Sequence, residues 1–152
     1  GVGYRDFPLT VLNAQDGVAS GDIRWSSVHP NASFFRNWHT MEDSIYWDIE
    51  VKTAGDYEIT VLYTCPAKDA GAELQVAFKE NAVSASIETP FDPPLKDQDD
   101  RVKRQESYEK EFRPLALGTL KMEPGRGNLQ LRALKQPGAM VADIRAVRVR
   151  LL

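Results

Sequence analysis

Two sets of residues could do chemistry beyond filling a core. The first is aromatic and polar: Trp25, Phe34, Phe35, Trp38, Tyr46 and Trp47, interleaved with Asn31, Asn37, His39 and Asp43. Sugar rings lay their apolar C–H faces on aromatic side chains, while amides and carboxylates bond the hydroxyls. On that reasoning Trp25, Phe34, Phe35, Asn37, His39 and Tyr46 are the candidate ligand-binding residues. The competing reading places the same rings in a hydrophobic core. Trp47, between Ile45 and Ile49 on one parity, reads as core, and so does Trp38; for Trp25, Phe34, Phe35 and Tyr46 both readings stand. The second set is acidic, Asp92, Asp97, Asp99 and Asp100, followed by Arg101, Lys103 and Arg104. Calcium takes oxygen ligands of this kind, but the run Asp97-Gln98-Asp99-Asp100 lacks the glycine and distant glutamate of a helix-loop-helix site and reads as a solvated loop.

Patterns for catalysis are missing. His29 and His39 do not have the i, i+4 spacing of a zinc protease pair. There is no G-x-S-x-G elbow, no phosphate loop and no dinucleotide fingerprint. The single cysteine, Cys65, excludes an internal disulfide and a cysteine-rich metal site. It lies on the apolar parity of a strand and reads as a small buried hydrophobe. Gly125-Arg126-Gly127 is too short for a phosphate loop and reads as a tight hairpin turn.

The elements that must position these residues are strands. Ile45, Trp47, Ile49 and Val51 alternate with polar or half-polar neighbours, and after a turn at residues 53–56 the alternation resumes through Tyr57, Ile59, Val61, Tyr63 and Cys65. Period two marks a strand with one buried face, and the two runs together read as a hairpin. Weaker alternation recurs at residues 9–14, 22–26, 74–78, 83–87, 115–122 and 129–133. In the last strand Ile144 and Ala146 share one parity and Val147, Val149 and Leu151 the other, a change of phase that places a bulge near Ala146. Residues 27–43 and 90–111 break the pattern; loops of that length are usually functional or mobile. No segment has a helical apolar period. The expected class is all-β, a sandwich or barrel of short strands.

The chain has 152 residues, 42% hydrophobic and 27% charged, which fits a single domain over 1–152 with a real core. A net charge of −3 offers no basic surplus for nucleic acid, and no apolar stretch reaches the roughly 18 residues of a membrane span. Neither nucleic acid nor membrane is therefore an expected partner. No signal-type leader opens the chain, which reads as a domain cut from a longer exported protein.

The stretch Asn37-Trp38, Asp43, Trp47-Asp48-Ile49-Glu50-Val51 and Ala54-Gly55-Asp56-Tyr57-Glu58-Ile59 resembles the central strands of the carbohydrate-binding-module superfamily of family-six type. Residues Leu12-Asn13-Ala14-Gln15-Asp16-Gly17 are similar to its first strand, and Val141-Ala142-Asp143-Ile144-Arg145-Ala146-Val147 to its last. More narrowly, Cys65-Pro66-Ala67-Lys68-Asp69-Ala70-Gly71, Asp92-Pro93-Pro94, residues 101–108 and Gly125-Arg126-Gly127 resemble the C-terminal accessory domain of bacterial arylsulfatases and N-acetylgalactosamine-6-sulfatases.

The resemblance implies a jelly-roll β-sandwich of two antiparallel sheets, galactose-binding-domain-like. It implies a non-catalytic carbohydrate-binding-like module attached to a sulfatase or other polysaccharide-degrading hydrolase, in the periplasm or outside the cell. The alternative is a structural domain that packs on the parent's catalytic domain without binding glycan. One structural calcium is the only cofactor implied, at positions matching Asn13, Gln15 and Asp143; glutamates usual in the family are Asn13 and Gln15 here, leaving Asp143 as the only carboxylate. The C/S-x-P-x-R context of a sulfatase nucleophile is not met by Cys65-Pro66-Ala67-Lys68. This chain alone is therefore not expected to be an enzyme.

Overall fold

The structure, a computed structural model, describes residues 1–27, 33–94 and 110–152. His29, Asn31, the acids Asp97, Asp99 and Asp100 and the bases Arg101, Lys103 and Arg104 lie outside the described residues. Among the described residues eleven strands follow in chain order: β1 (Leu9–Asn13), β2 (Val18–Ala19), β3 (Arg24–Trp25), β4 (Phe35–Arg36), β5 (Ser44–Val51), β6 (Gly55–Thr64), β7 (Glu73–Phe78), β8 (Asn81–Ser86), β9 (Arg113–Met122), β10 (Gly125–Lys135) and β11 (Asp143–Leu151). Single turns of 3-10 helix at Ala14–Asp16 and Ala67–Asp69 are the only helical pieces among the described residues.

The strands form two antiparallel sheets. One is six-stranded, ordered β3-β4-β11-β6-β9 with β1 also paired to β11; the other is five-stranded, ordered β2-β5-β10-β7-β8. Alternation decides which side chains meet between them. From the five-stranded sheet come Ile45, Trp47, Ile49, Leu74, Val76, Phe78, Leu129 and Leu131, and from the other Tyr57, Ile59, Val61, Tyr63, Leu120, Val147 and Val149, all buried. The all-β jelly-roll sandwich expected from the sequence is the observed fold.

Two expectations about connections are corrected. β5 and β6 are not a hairpin, because β5 pairs with β2 and β10 while β6 pairs with β9 and β11. The turn at residues 52–54 carries the chain across the core from one sheet to the other. Gly125-Arg126-Gly127 is likewise no hairpin turn: it opens β10, opposite Val51, Glu50 and Ile49, while β9 belongs to the other sheet. A strand that buries alternate residues has the same pattern whether the next strand lies beside it or across the core, so periodicity cannot separate the two cases. By contrast, β7 and β8 are a true hairpin around Lys79-Glu80. The bulge near Ala146 is present: the β11–β6 register shifts between Ile144 and Ala146, leaving Arg145 as the extra, exposed residue.

Candidate functional site

At the sandwich end where β11 begins, loops from four parts of the chain enclose a cleft of about 660 Å3, its walls including Ser26, Phe34, Arg36, Asn37, Lys110 and Asp143. Asp92 and Met140 also line the cleft, and they border a smaller neighbouring pocket of about 200 Å3.

Backbone pairing sets these walls. Trp25 lies opposite Phe35 across β3 and β4, and Phe35 lies opposite Ile144 of β11, so strand alternation turns Phe35 inward and leaves Arg36 exposed. Asn37 takes a left-handed backbone (φ 63), which asparagine tolerates better than most residues. Its Nδ2 donates to the Asp22 carbonyl at 3.0 Å, fixing the amide at the cleft edge. The 90–94 loop is tied down by reciprocal bonds between the Cys65 and Phe91 backbones at 2.7 and 2.8 Å, which place Asp92. The 136–142 loop is held by the Val141 amide on the Trp38 carbonyl at 2.8 Å and by Gln136 Nε2 donating to the His39, Gly138 and Ala139 carbonyls.

Lys110 is the structural hinge of the site. Its Nζ donates to Asp143 Oδ2 at 2.7 Å and sits 4.8 Å from the Phe34 ring centroid and 5.4 Å from that of Phe112. Its side chain is 9% exposed, so the ammonium is held by one carboxylate and two ring faces rather than by water. The rings of Phe34 and Phe112 are themselves tilted together at 5.4 Å.

The candidate ligand-binding residues are split by the fold. Asn37 and Phe34 line the cleft, but Phe34 is 6% exposed and gives its face to Lys110. Phe35 is 2% exposed, edge-on to Trp47 and stacked beneath Trp25, so burial leaves it no face for a sugar. Trp25 is 37% exposed outside the cleft lining, with its indole N–H on the Ala14 carbonyl at 2.8 Å. Exposed His39 pairs with Asp22 at 2.7 Å. Tyr46 lies between Val18 and Gln130 on the outer side of the five-stranded sheet and does not join the cleft. Trp38 and Trp47 are core, with indole N–H groups on the Thr40 and Asn13 carbonyls. The sequence reading did not single out Arg36 or Lys110. Arg36 could have been found from the inward–outward alternation after Phe35; nothing local marks Lys110, whose partner is 33 residues away.

The residues matching the family's calcium positions do not fit that ion. Asn13 and Gln15 are neutral and exposed, and the carboxylate of Asp143 is already neutralised by Lys110. Calcium is held by several charged or carbonyl oxygens at once.

Cys65 is fully buried, and its thiol is pushed up to about 11, first by burial and then by Asp69, Asp92 and Asp143.

Three comparisons bear on this geometry. No family model matches the chain, and no curated protein sequence matches it. Solved structures do. A GH26-CBM35 β-(1,4)-mannanase from Podospora anserina superposes with a TM-score of 0.61 at 12% identity, over 95% of this chain and 28% of the enzyme. A family 35 carbohydrate binding module from Clostridium thermocellum gives 0.58 at 9% identity, over 93% of this chain and 96% of the module. The carbohydrate binding module CBM6cm-2 of Cellvibrio mixtus lichenase 5A, solved in complex with cellotriose, gives 0.58 at 11% identity, over 95% and 98%. The fold is that of family 35 and family 6 carbohydrate-binding modules. The chain spans under a third of the mannanase, in which such a sandwich is one part of a larger enzyme. No helix among the described residues is long and apolar enough to cross a membrane.

Proposed function

We propose that this chain is a non-catalytic carbohydrate-binding-like module that holds a glycan in the loop-end cleft and serves a larger polysaccharide-degrading hydrolase, a sulfatase being the kind its sequence resembles. The observation that carries the reading is the cleft itself. A volume of about 660 Å3 gathers the Asn37 amide, the Arg36 guanidinium, the Ser26 hydroxyl and the Lys110–Asp143 pair, which together are donors and acceptors for ring hydroxyls. Cellotriose in the lichenase module and the mannan-degrading enzyme that carries a related sandwich support a polysaccharide as the ligand class. A hydrolase that works on polysaccharide places the protein in the periplasm or outside the cell. Calcium has no part in this reading.

Affinity electrophoresis of the isolated domain in gels containing neutral, acidic or sulfated polysaccharides tests it. Retardation by at least one polysaccharide, weakened in Arg36→Ala and in Asn37→Ala, is the expected result. Unretarded migration in every gel would sink the proposal.

One observation favours a second reading, a structural domain packed on the parent's catalytic domain. Tyr4, Phe7, Leu9, Val11 and Leu152 are exposed around the start of β1 and the end of β11, and Phe7 is 75% exposed. Apolar side chains grouped in this way are a common mark of an interface. Deleting the domain from its parent enzyme separates the two readings: a docked structural domain lowers the parent's melting temperature, whereas a glycan-holding module lowers activity on polymeric substrate alone.

A further inference from the structure

Next to the cleft, the 200 Å3 pocket carries a carboxylate whose bonding is incomplete. Asp69 lines it from the 3-10 turn after β6 and is 1% exposed. Its Oδ1 accepts the Met140 amide at 3.4 Å, and among the described residues its Oδ2 has no hydrogen-bond partner. The surrounding backbone is closed around this group: a Cβ on Gly138 would lie 2.2 Å from Oδ1. Buried ionised groups are ordinarily paired, coordinated or fully hydrogen-bonded. No ion pair to Asp69 forms among the described residues.

The pocket is also electrostatically lopsided. Among the described residues, three carboxylates, Asp69, Asp92 and Asp143, line it with one ammonium, Lys68. Lys110 answers Asp143 from the cleft side. The same three acids all raise the Cys65 thiol, so their fields overlap in one small volume. What fits is a cation that brings hydrogen-bond donors. Among the described residues no group of three or more His, Cys, Asp or Glu side chains is arranged to hold a metal ion. An ammonium needs no fixed coordination polyhedron and donates three hydrogen bonds. Thr64 also lines the pocket, and a threonine hydroxyl can accept a hydrogen bond.

We propose that this pocket is the subsite for a protonated primary amine, carried by a 2-amino-2-deoxy sugar unit whose neighbours in the chain occupy the larger cleft. The inference rests on the glycan reading above and names its ligand class. N-acetylation removes the charge and adds bulk, so the acetylated sugar is excluded twice over.

Titration calorimetry of the domain with β-1,4-linked glucosamine oligomers, their N-acetylated counterparts and glucose oligomers of equal length tests it. The glucosamine oligomer is expected to bind at least tenfold tighter than either of the others, with an advantage that shrinks as salt rises. Asp69→Asn should bring the three within about twofold while leaving the glucose oligomer's affinity unchanged. Should that variant fail to fold, the exposed Asp92→Asn decides, with a smaller loss in the same direction. Equal affinities in the unmodified domain, or an amine preference that survives in every folded carboxamide variant, overturn the inference alone. Binding to none of the three oligomers, together with no retardation in any polysaccharide gel, overturns the glycan reading and this inference with it.

Discussion

Replacing Lys110 by methionine keeps most of its stem but removes the charge that joins the cleft wall to β11. Its ammonium lies 2.7 Å from Asp143 Oδ2 and within 4.8 and 5.4 Å of two ring centroids. Removing one partner of a fully buried pair costs about 3–5 kcal/mol, because the other charge stays behind without compensation. Asp143 is 30% exposed, so water takes over part of that role and the loss falls to about 1–3 kcal/mol. The lost cation–π contacts add about 1 kcal/mol. A total of about 2–4 kcal/mol follows, read as a lower midpoint in urea unfolding at constant slope, with tryptophan fluorescence as the probe. A double-mutant cycle with Asp143→Asn isolates the pair, since the second substitution should cost little once Lys110 is gone. A loss below about 0.5 kcal/mol with no coupling would refute the idea that this pair holds the cleft together.

Three further outcomes follow from the same structure. Deleting Arg145, the residue the β11–β6 ladder leaves unpaired, should keep Ile144 opposite Tyr63 and Ala146 opposite Leu62 in one unbroken register, so the domain should still unfold cooperatively by circular dichroism; loss of cooperative unfolding would show that the ladder does not close across the bulge. Cys65 should resist thiol reagents at pH 8 in the folded domain and react fully in denaturant. Its folded value lies above its ordinary 9.0, so its contribution to stability is complete below pH 9 and disappears as pH rises through about 11. That loss is at most about 3 kcal/mol and is measurable by denaturation at pH 8 against pH 10.5. Burial also raises the Tyr57 and Tyr63 hydroxyls above their ordinary 10.0, so they act in the same direction as pH rises past that value. Finally, EDTA should leave the melting temperature unchanged; a fall of many degrees, restored by calcium, would contradict the poor fit of Asn13, Gln15 and Asp143 to that ion.

The strands were legible because a half-buried strand writes its burial into the sequence at period two. Even the bulge was readable, as a change of parity between Ala146 and Val147. Which strands pair was not. The β5 and β6 patterns look identical for a hairpin and for a crossing between sheets, and only the long-range ladders to β10 and β11 distinguish them. The site was less readable still. Aromatic residues advertise sugar stacking and core filling equally well, and Phe35 turned out to be core because β4 is pinned against β11 at Ile144. Asn37 was found from its neighbourhood of rings and amides. Lys110 and Asp69 owe their positions to Asp143 and to the 136–142 loop, tertiary contacts with no local signature.

The most direct test of glycan binding at the loop end is a 1H–15N correlation spectrum titrated with the polysaccharide fragment that retards the domain. Shifts concentrated at Ser26, Arg36, Asn37, Lys110 and Asp143 are the predicted result. Shifts confined to the outer face around Tyr46, or to Tyr4, Phe7 and Leu9, would contradict it.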